Sequence, residues 1–221
     1  MKLAEAMEAL KAAGTAQTRK AYATYGVEEP MFGVSEAALH KMAKKINIDQ
    51  ALADGLWETH NHDARVLAML IADPEKMGLE GLDSWAHQIA NSGEAGALVE
   101  LVERSPWHQA LADRWSEMPG EWIGQTGYIL VSSLARNNKG IENSYFKRKL
   151  QQIENTVHQR ENMCRYSMNN TLIAIGQRNF ELWEFAKMAY QRIGKIKVDH
   201  GETGGKTPDP KVELKNKPVQ G

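Results

Sequence analysis

Apolar residues recur at steps of three and four through almost the whole chain, and that spacing restricts it to helices. Behind Ser35, a residue type that caps helices, Leu39, Met42, Ala43 and Ile46 fall at i, i+3, i+4 and i+7. Asp49 opens a short helix through Leu52 and Leu56. Asn61 opens another through Leu67, Leu70 and Ile71, with Pro74 beyond its end. Further helical windows are 79–91, 94–104, 107–117, 120–136, 142–157, 160–177 and 179–193. In the 142–157 window, Phe146, Leu150, Ile153 and Val157 step by 4, 3 and 4 and form one apolar stripe. No stretch alternates with period two over β-branched residues, so strands are not expected. The predicted class is all-α, with about ten helices on short loops stacked as antiparallel neighbours. Such a chain can be a compact bundle or an α-solenoid of helix pairs, and no internal repeat period separates the two.

The end of the chain breaks the pattern. Residues 195–221 hold 4 of the 18 glycines and 3 of the 7 prolines, with no helical stripe. The division expected is a helical domain over 1–194 and an irregular tail over 195–221, packed at its start and fraying towards Gly221. A single cysteine, Cys164, rules out an internal disulfide framework. No apolar run approaches the roughly 20 residues that span a bilayer. The first residues, MKLAEAMEALKAAG, lack the apolar core of a signal peptide, so a cytoplasmic protein is expected, away from membranes.

The net charge of −1 conceals an asymmetry. Residues 1–135 carry 11 Lys and Arg against 19 Asp and Glu, whereas residues 136–200 carry 12 against 6. A basic C-terminal third points towards a polyanion, the alternative being a solvated basic face with no partner. On the helix expected at 158–177, His158, Asn162, Arg165 and Asn169 step by 4, 3 and 4 as a polar stripe. It is separate from the apolar stripe of Cys164, Met168, Leu172 and Ile175, where the cysteine reads as a core thiol. Arginine and amide groups can contact phosphates, sugars or base edges, and Lys147, Arg148 and Lys149 add three cations in a row. Again the alternative is a solvated helix face. Six tryptophans, at 57, 85, 107, 115, 122 and 183, are expected mostly at helix crossings, a few being free to stack on bases.

Other motifs dissolve on inspection. Gly201 to Thr207 reads GETGGKT, but a phosphate-binding loop would need glycine where His200 stands, a strand before it and a helix after it. His60, His62 and Asp63, or His158 with Cys164, lack the i, i+4 spacing that puts two metal ligands on one helical face. No metal and no cofactor are expected.

Several segments together resemble the AlkD-type DNA alkylation repair family, whose fold is a superhelix of HEAT-like helix pairs. They are Tyr25-Gly26-Val27, Phe32-Gly33-Val34-Ser35, Leu39 with Ala43-Lys44-Lys45-Ile46, and Leu52-Ala53 with Leu56-Trp57. The strongest is Asn61-His62-Asp63-Ala64-Arg65-Val66-Leu67-Ala68, followed by Ile71-Ala72-Asp73-Pro74. Asp83-Ser84-Trp85, Glu121-Trp122 and Met168-Asn169-Asn170 with Ile173-Ala174-Ile175-Gly176 complete a scattered match over about residues 20–180. Val198 to Gly204 is similar to a closing segment in one branch of the family.

The resemblance implies a concave, Lys/Arg-lined groove for duplex or distorted DNA. In active members an Asp and two Trp assist departure of a cationic alkylated purine. That base is already a good leaving group, so a carboxylate near the developing sugar cation and aromatic faces for the base are what help. This machinery does not carry over. The family pattern Ser-Trp-Asp-x-x-Asp falls on Ser92 to Ala97, which puts Gly93 at the tryptophan place and Ala97 at the catalytic aspartate place. The Arg expected after Glu121-Trp122 falls on Gly124 or Gln125. The later Asn-Trp-x-x-Arg falls on Asn169 to Ile173, with Asn170 and Ile173 in the Trp and Arg places. Glu94 is the one acid close enough to serve as a substitute carboxylate.

Three readings follow. The first is a DNA-binding relative with weak or absent N-glycosylase activity, its contacts assigned to Trp122, Gln125, Lys147, Arg148, Arg165, Asn169 and Asn170. The second is an active alkylpurine glycosylase that uses Glu94. The third is a HEAT-like scaffold for protein partners, whose natural surface is the acidic first 135 residues.

Overall fold

A computed structural model describes residues 1–218, and among these there are thirteen α-helices, two 3-10 turns and no strand. Among the described residues, no helix is long and apolar enough to cross a membrane. The chain forms two compact units, which meet in sequence at His108 and Gln109.

The first unit contains α1 (Leu3–Ala13), α2 (Ala16–Thr24), α3 (Glu36–Ile46), α4 (Gln50–Trp57), α5 (His62–Ile71), α6 (Pro74–Ala86) and α7 (Ser92–Glu103). Their starts are written in the sequence. Ser35, Asp49, Asn61 and Asn91 each accept a backbone N–H from the first turn that follows, satisfying a donor the helix itself leaves unpaired. The window expected at 79–91 is displaced to Pro74–Ala86. Asp73 caps a start with proline in the first turn, and the backbone breaks at Gly78 with φ of 66° before continuing. Helix α5 is buried along almost its whole length and is packed by α3, α4 and α7. Helix α5 thus meets the preceding helix and the helices two along on either side, as in stacked helix pairs.

The second unit contains α8 (His108–Glu117), α9 (Glu121–Asn137), α10 (Asn143–Thr156), α11 (Asn162–Gly176), α12 (Phe180–Ile193) and a short α13 (Pro210–Glu213). The same rule holds, α9 packing on α11 and α10 on α12. Cys164, Met168, Leu172 and Ile175 form the apolar stripe of α11 as expected, each with no exposed surface. Beside them the Thr171 hydroxyl donates to the Tyr128 carbonyl at 2.7 Å, joining α11 to α9. Close approach is set by glycine: a Cβ on Gly127 would lie 2.2 Å from the Ser116 nitrogen, so no other residue lets α9 pass the end of α8 this closely.

One expectation changes here. His158 does not belong to α11. It sits in a 3-10 turn, Val157–Gln159, and its Nε2 meets the Ile193 carbonyl at 2.9 Å. Residues 195–218 fall in the second unit. Ile196 and Leu214 are buried, and the Trp183 indole N–H donates to the Leu214 carbonyl at 2.9 Å. The end of the tail expected to fray, residues 219–221, lies outside the described residues.

Candidate nucleic-acid interface

The strongest stretch of the resemblance, Asn61 to Ala68, turns out to be a structural clasp. Asn61 caps α5. The Asp63 carboxylate, fully buried, accepts three consecutive backbone N–H groups, from Phe32 at 2.6 Å, Gly33 at 3.0 Å and Val34 at 2.7 Å. Two separated sequence segments, 32–35 and 61–68, are therefore one feature in space. Arg65 lies 4.5 Å over the Trp57 ring and donates to the Trp57 and Gln88 carbonyls. Trp57 in turn stacks on Trp85 at 4.2 Å with planes 5° apart.

Beside this clasp the first unit holds a cavity of about 400 Å³. Gly93 and Ala97, expected from the resemblance at the tryptophan and aspartate places, both line it. His62, only 5% exposed, also lines it and packs edge-on against Tyr22 with ring centroids 5.1 Å apart. The His62 Nδ1 lies 3.3 Å from the Asn91 amide nitrogen and 3.5 Å from a Glu94 oxygen. The Tyr22 hydroxyl donates to the Val34 carbonyl at 2.5 Å. Its pKa is pushed up to about 12, by burial first and then by the charges of Asp63 and Glu36.

Glu94 itself is buried, and its carboxylate accepts the Ala90 N–H at 2.9 Å while its own N–H donates to Asn91. It thus holds the chain entering α7 and is not among the residues lining the cavity. At the mouth stand Glu36, His40 and Glu100, whose ligand-type atoms all lie within 4.8 Å of one another. These are the residues that could hold a metal ion. Sequence reasoning passed over them, although Glu36 and His40 carry the i, i+4 signal. Glu100, on α7, is supplied by the fold.

The predicted contacts of the second unit are dispersed. Successive residues on a helix point about 100° apart, so Lys147, Arg148 and Lys149 go three ways. Lys147 pairs with Glu181. Lys149 is buried against Asp113 and Ser116, its Nζ 3.0 Å from each. Arg148 is exposed, 5.9 Å from the Tyr145 ring. Trp122, Arg165 and Asn170 are half-buried, whereas Gln125 and Asn169 are buried.

Much of the expected polar stripe on α11 is occupied by the tail. The Asn162 side chain accepts the Asp199 N–H and donates to the Asp199 carbonyl. The Asn169 amide donates to the Pro208 carbonyl at 3.0 Å. These bonds satisfy the half-buried Asn162 and the buried Asn169 and tie the tail to α11. The GETGGKT segment forms a 3-10 turn with His200 packed edge-on against Tyr166.

Stacked antiparallel helix pairs define a HEAT-like helical architecture, and comparison with known proteins names the family. The family model described as DNA alkylation repair enzyme matches residues 6–192. The chain belongs to that family. Uncharacterized proteins of Listeria innocua and Listeria monocytogenes are each 27% identical over 206 residues, covering 90% of both chains. A solved structure described as a new family of proteins related to the HEAT-like repeat DNA glycosylases, with affinity for branched DNA structures, superimposes with a TM-score of 0.87. It is 27% identical and the match covers 97% of this chain and 93% of that one.

Proposed function

We propose that the protein binds branched or distorted duplex DNA through its phosphates, with base excision weak or absent. The observation that carries the reading is the likeness, along 97% of the chain, to a structure described as having affinity for branched DNA. The cavity of the first unit supports the second half. Glycine and alanine line it at the places expected for the family's tryptophan and aspartate, and Glu94, the substitute carboxylate, is committed to the Ala90 N–H. The contacts assigned are Trp122, Arg148, Arg165 and Asn170, joined by Lys147 when DNA phosphate displaces Glu181. Gln125 and Asn169 enter only as supports beneath them.

The test is binding to a four-way junction and to linear duplex of the same sequences, titrated with salt. The junction is expected to bind more tightly, and log K is expected to fall by about 0.9 per decade of salt for each phosphate neutralised. Salt-insensitive binding, or none at low salt, removes the reading. In parallel, single-turnover release of methylated purines from alkylated duplex is expected to stay near the spontaneous rate. Release well above that rate, lost in Glu94→Gln with DNA affinity retained, would establish the glycosylase reading instead.

A further inference from the structure

Four lysines of the second unit converge on one hollow. Lys187 lies on α12, Lys195 just beyond its end, Lys211 on α13 and Lys215 shortly after it. They surround a hollow of about 630 Å³ whose lining includes the buried Pro210 and Leu214. No acidic residue lines it, and none of the four takes part in an ion pair among the described residues. Lys187 is held in place by the Trp183 ring, its Nζ 4.0 Å from the ring centroid. The tail segment is fixed by three contacts. Trp183 bonds the Leu214 carbonyl, Tyr190 donates to Asp209 at 3.1 Å, and Asn169 bonds the Pro208 carbonyl.

The arrangement has a physical cost with no partner on the protein itself. Like charges gathered round one hollow repel, and an apolar floor weakens the screening that water would supply. An anion in the hollow turns the same arrangement into an attraction, since a cleft of one sign with low-dielectric walls concentrates its field. We infer that the hollow between α12 and the tail is a docking site for the phosphodiester backbone of DNA, and that the tail folds back on α11 to build it. The inference rests on the DNA-binding reading above and adds a contact region that the scattered cations of α10 and α11 do not include. It also gives residues 195–218 a role: without their docking, Lys211 and Lys215 have no fixed position opposite Lys187 and Lys195.

The experiment compares the full chain with a K187Q/K195Q/K211Q/K215Q variant on a four-way junction, each titrated with salt. A control variant, K20Q/K41Q/K44Q/K45Q, removes four exposed lysines from the first unit. Circular dichroism and the melting temperature verify that each variant is folded. The hollow variant is expected to lose at least ~10-fold in affinity near 100 mM salt and about 2–3 from the magnitude of the salt slope, the control clearly less. Wild-type affinity and slope in the folded hollow variant, or equal losses in the two variants, overturn this site while leaving DNA binding intact. Failure of the unaltered chain to bind any DNA removes both readings together.

Discussion

Replacing Asp63 with alanine tests whether the clasp holds the first unit together. The carboxylate is fully buried and takes three backbone N–H groups at 2.6 to 3.0 Å. In Asp63→Ala those donors lose their only acceptor. The Gly33 and Val34 bonds lie in buried surroundings and the Phe32 bond is partly buried, so water can rescue at most one. An unmet buried donor costs about 1–3 kcal/mol, which puts the total near 4–6 kcal/mol. Domain stabilities are about 5–15 kcal/mol, so the variant should be close to unfolding. At about 2–4 °C per kcal/mol for a chain of this size, its melting temperature should fall by about 10–20 °C. Asp63→Asn keeps one acceptor oxygen and should lose about half as much. Denaturant titration measures the total, and amide hydrogen exchange at residues 32–34 localises it. A loss under ~1 kcal/mol in Asp63→Ala, or unchanged exchange at those amides, would refute the reasoning.

Two further outcomes follow from the packing and the buried phenol. Gly127→Ala drives a methyl to 2.2 Å from the Ser116 nitrogen, which is backbone and cannot rotate away. It should cost at least ~3 kcal/mol in thermal or chemical unfolding, the upper end for overpacking, and a near-neutral result would mean that α8 and α9 can separate freely. Tyr22 is raised from the ordinary 10.0 to about 12, so below pH 10 both the folded and unfolded chains keep its proton and its contribution is whole. Between pH 10 and 12 the unfolded chain loses that proton first, and stability falls with rising pH. Denaturation midpoints across that interval should decline less steeply in Tyr22→Phe, whereas parallel declines would contradict the burial of the phenol.

Helical periodicity and capping residues were legible because both are local. Ser35, Asp49 and Asn61 stand three residues before the N–H they accept, and the stripe of Cys164, Met168, Leu172 and Ile175 is a matter of 3.6-residue spacing. The same local reading misjudged groups whose partners lie far along the chain. Asn162 and Asn169 look like a ligand-facing stripe until residues 199 and 208 fold over them. Glu94 looks like a spare carboxylate until His62, from another helix, comes within 3.5 Å of it.

The sequence by itself therefore determined the all-helical class, the starts of the helices behind Ser35, Asp49 and Asn61, and the burial of Cys164. Tertiary structure alone decided that Phe32 to Val34 close on Asp63, that Glu36, His40 and Glu100 meet, and that four lysines share a hollow. Periodicity and capping depend on residues within a turn or two of each other. Charge partnership and exposure depend largely on contacts between different helices and loops, and only the folded chain brings those together.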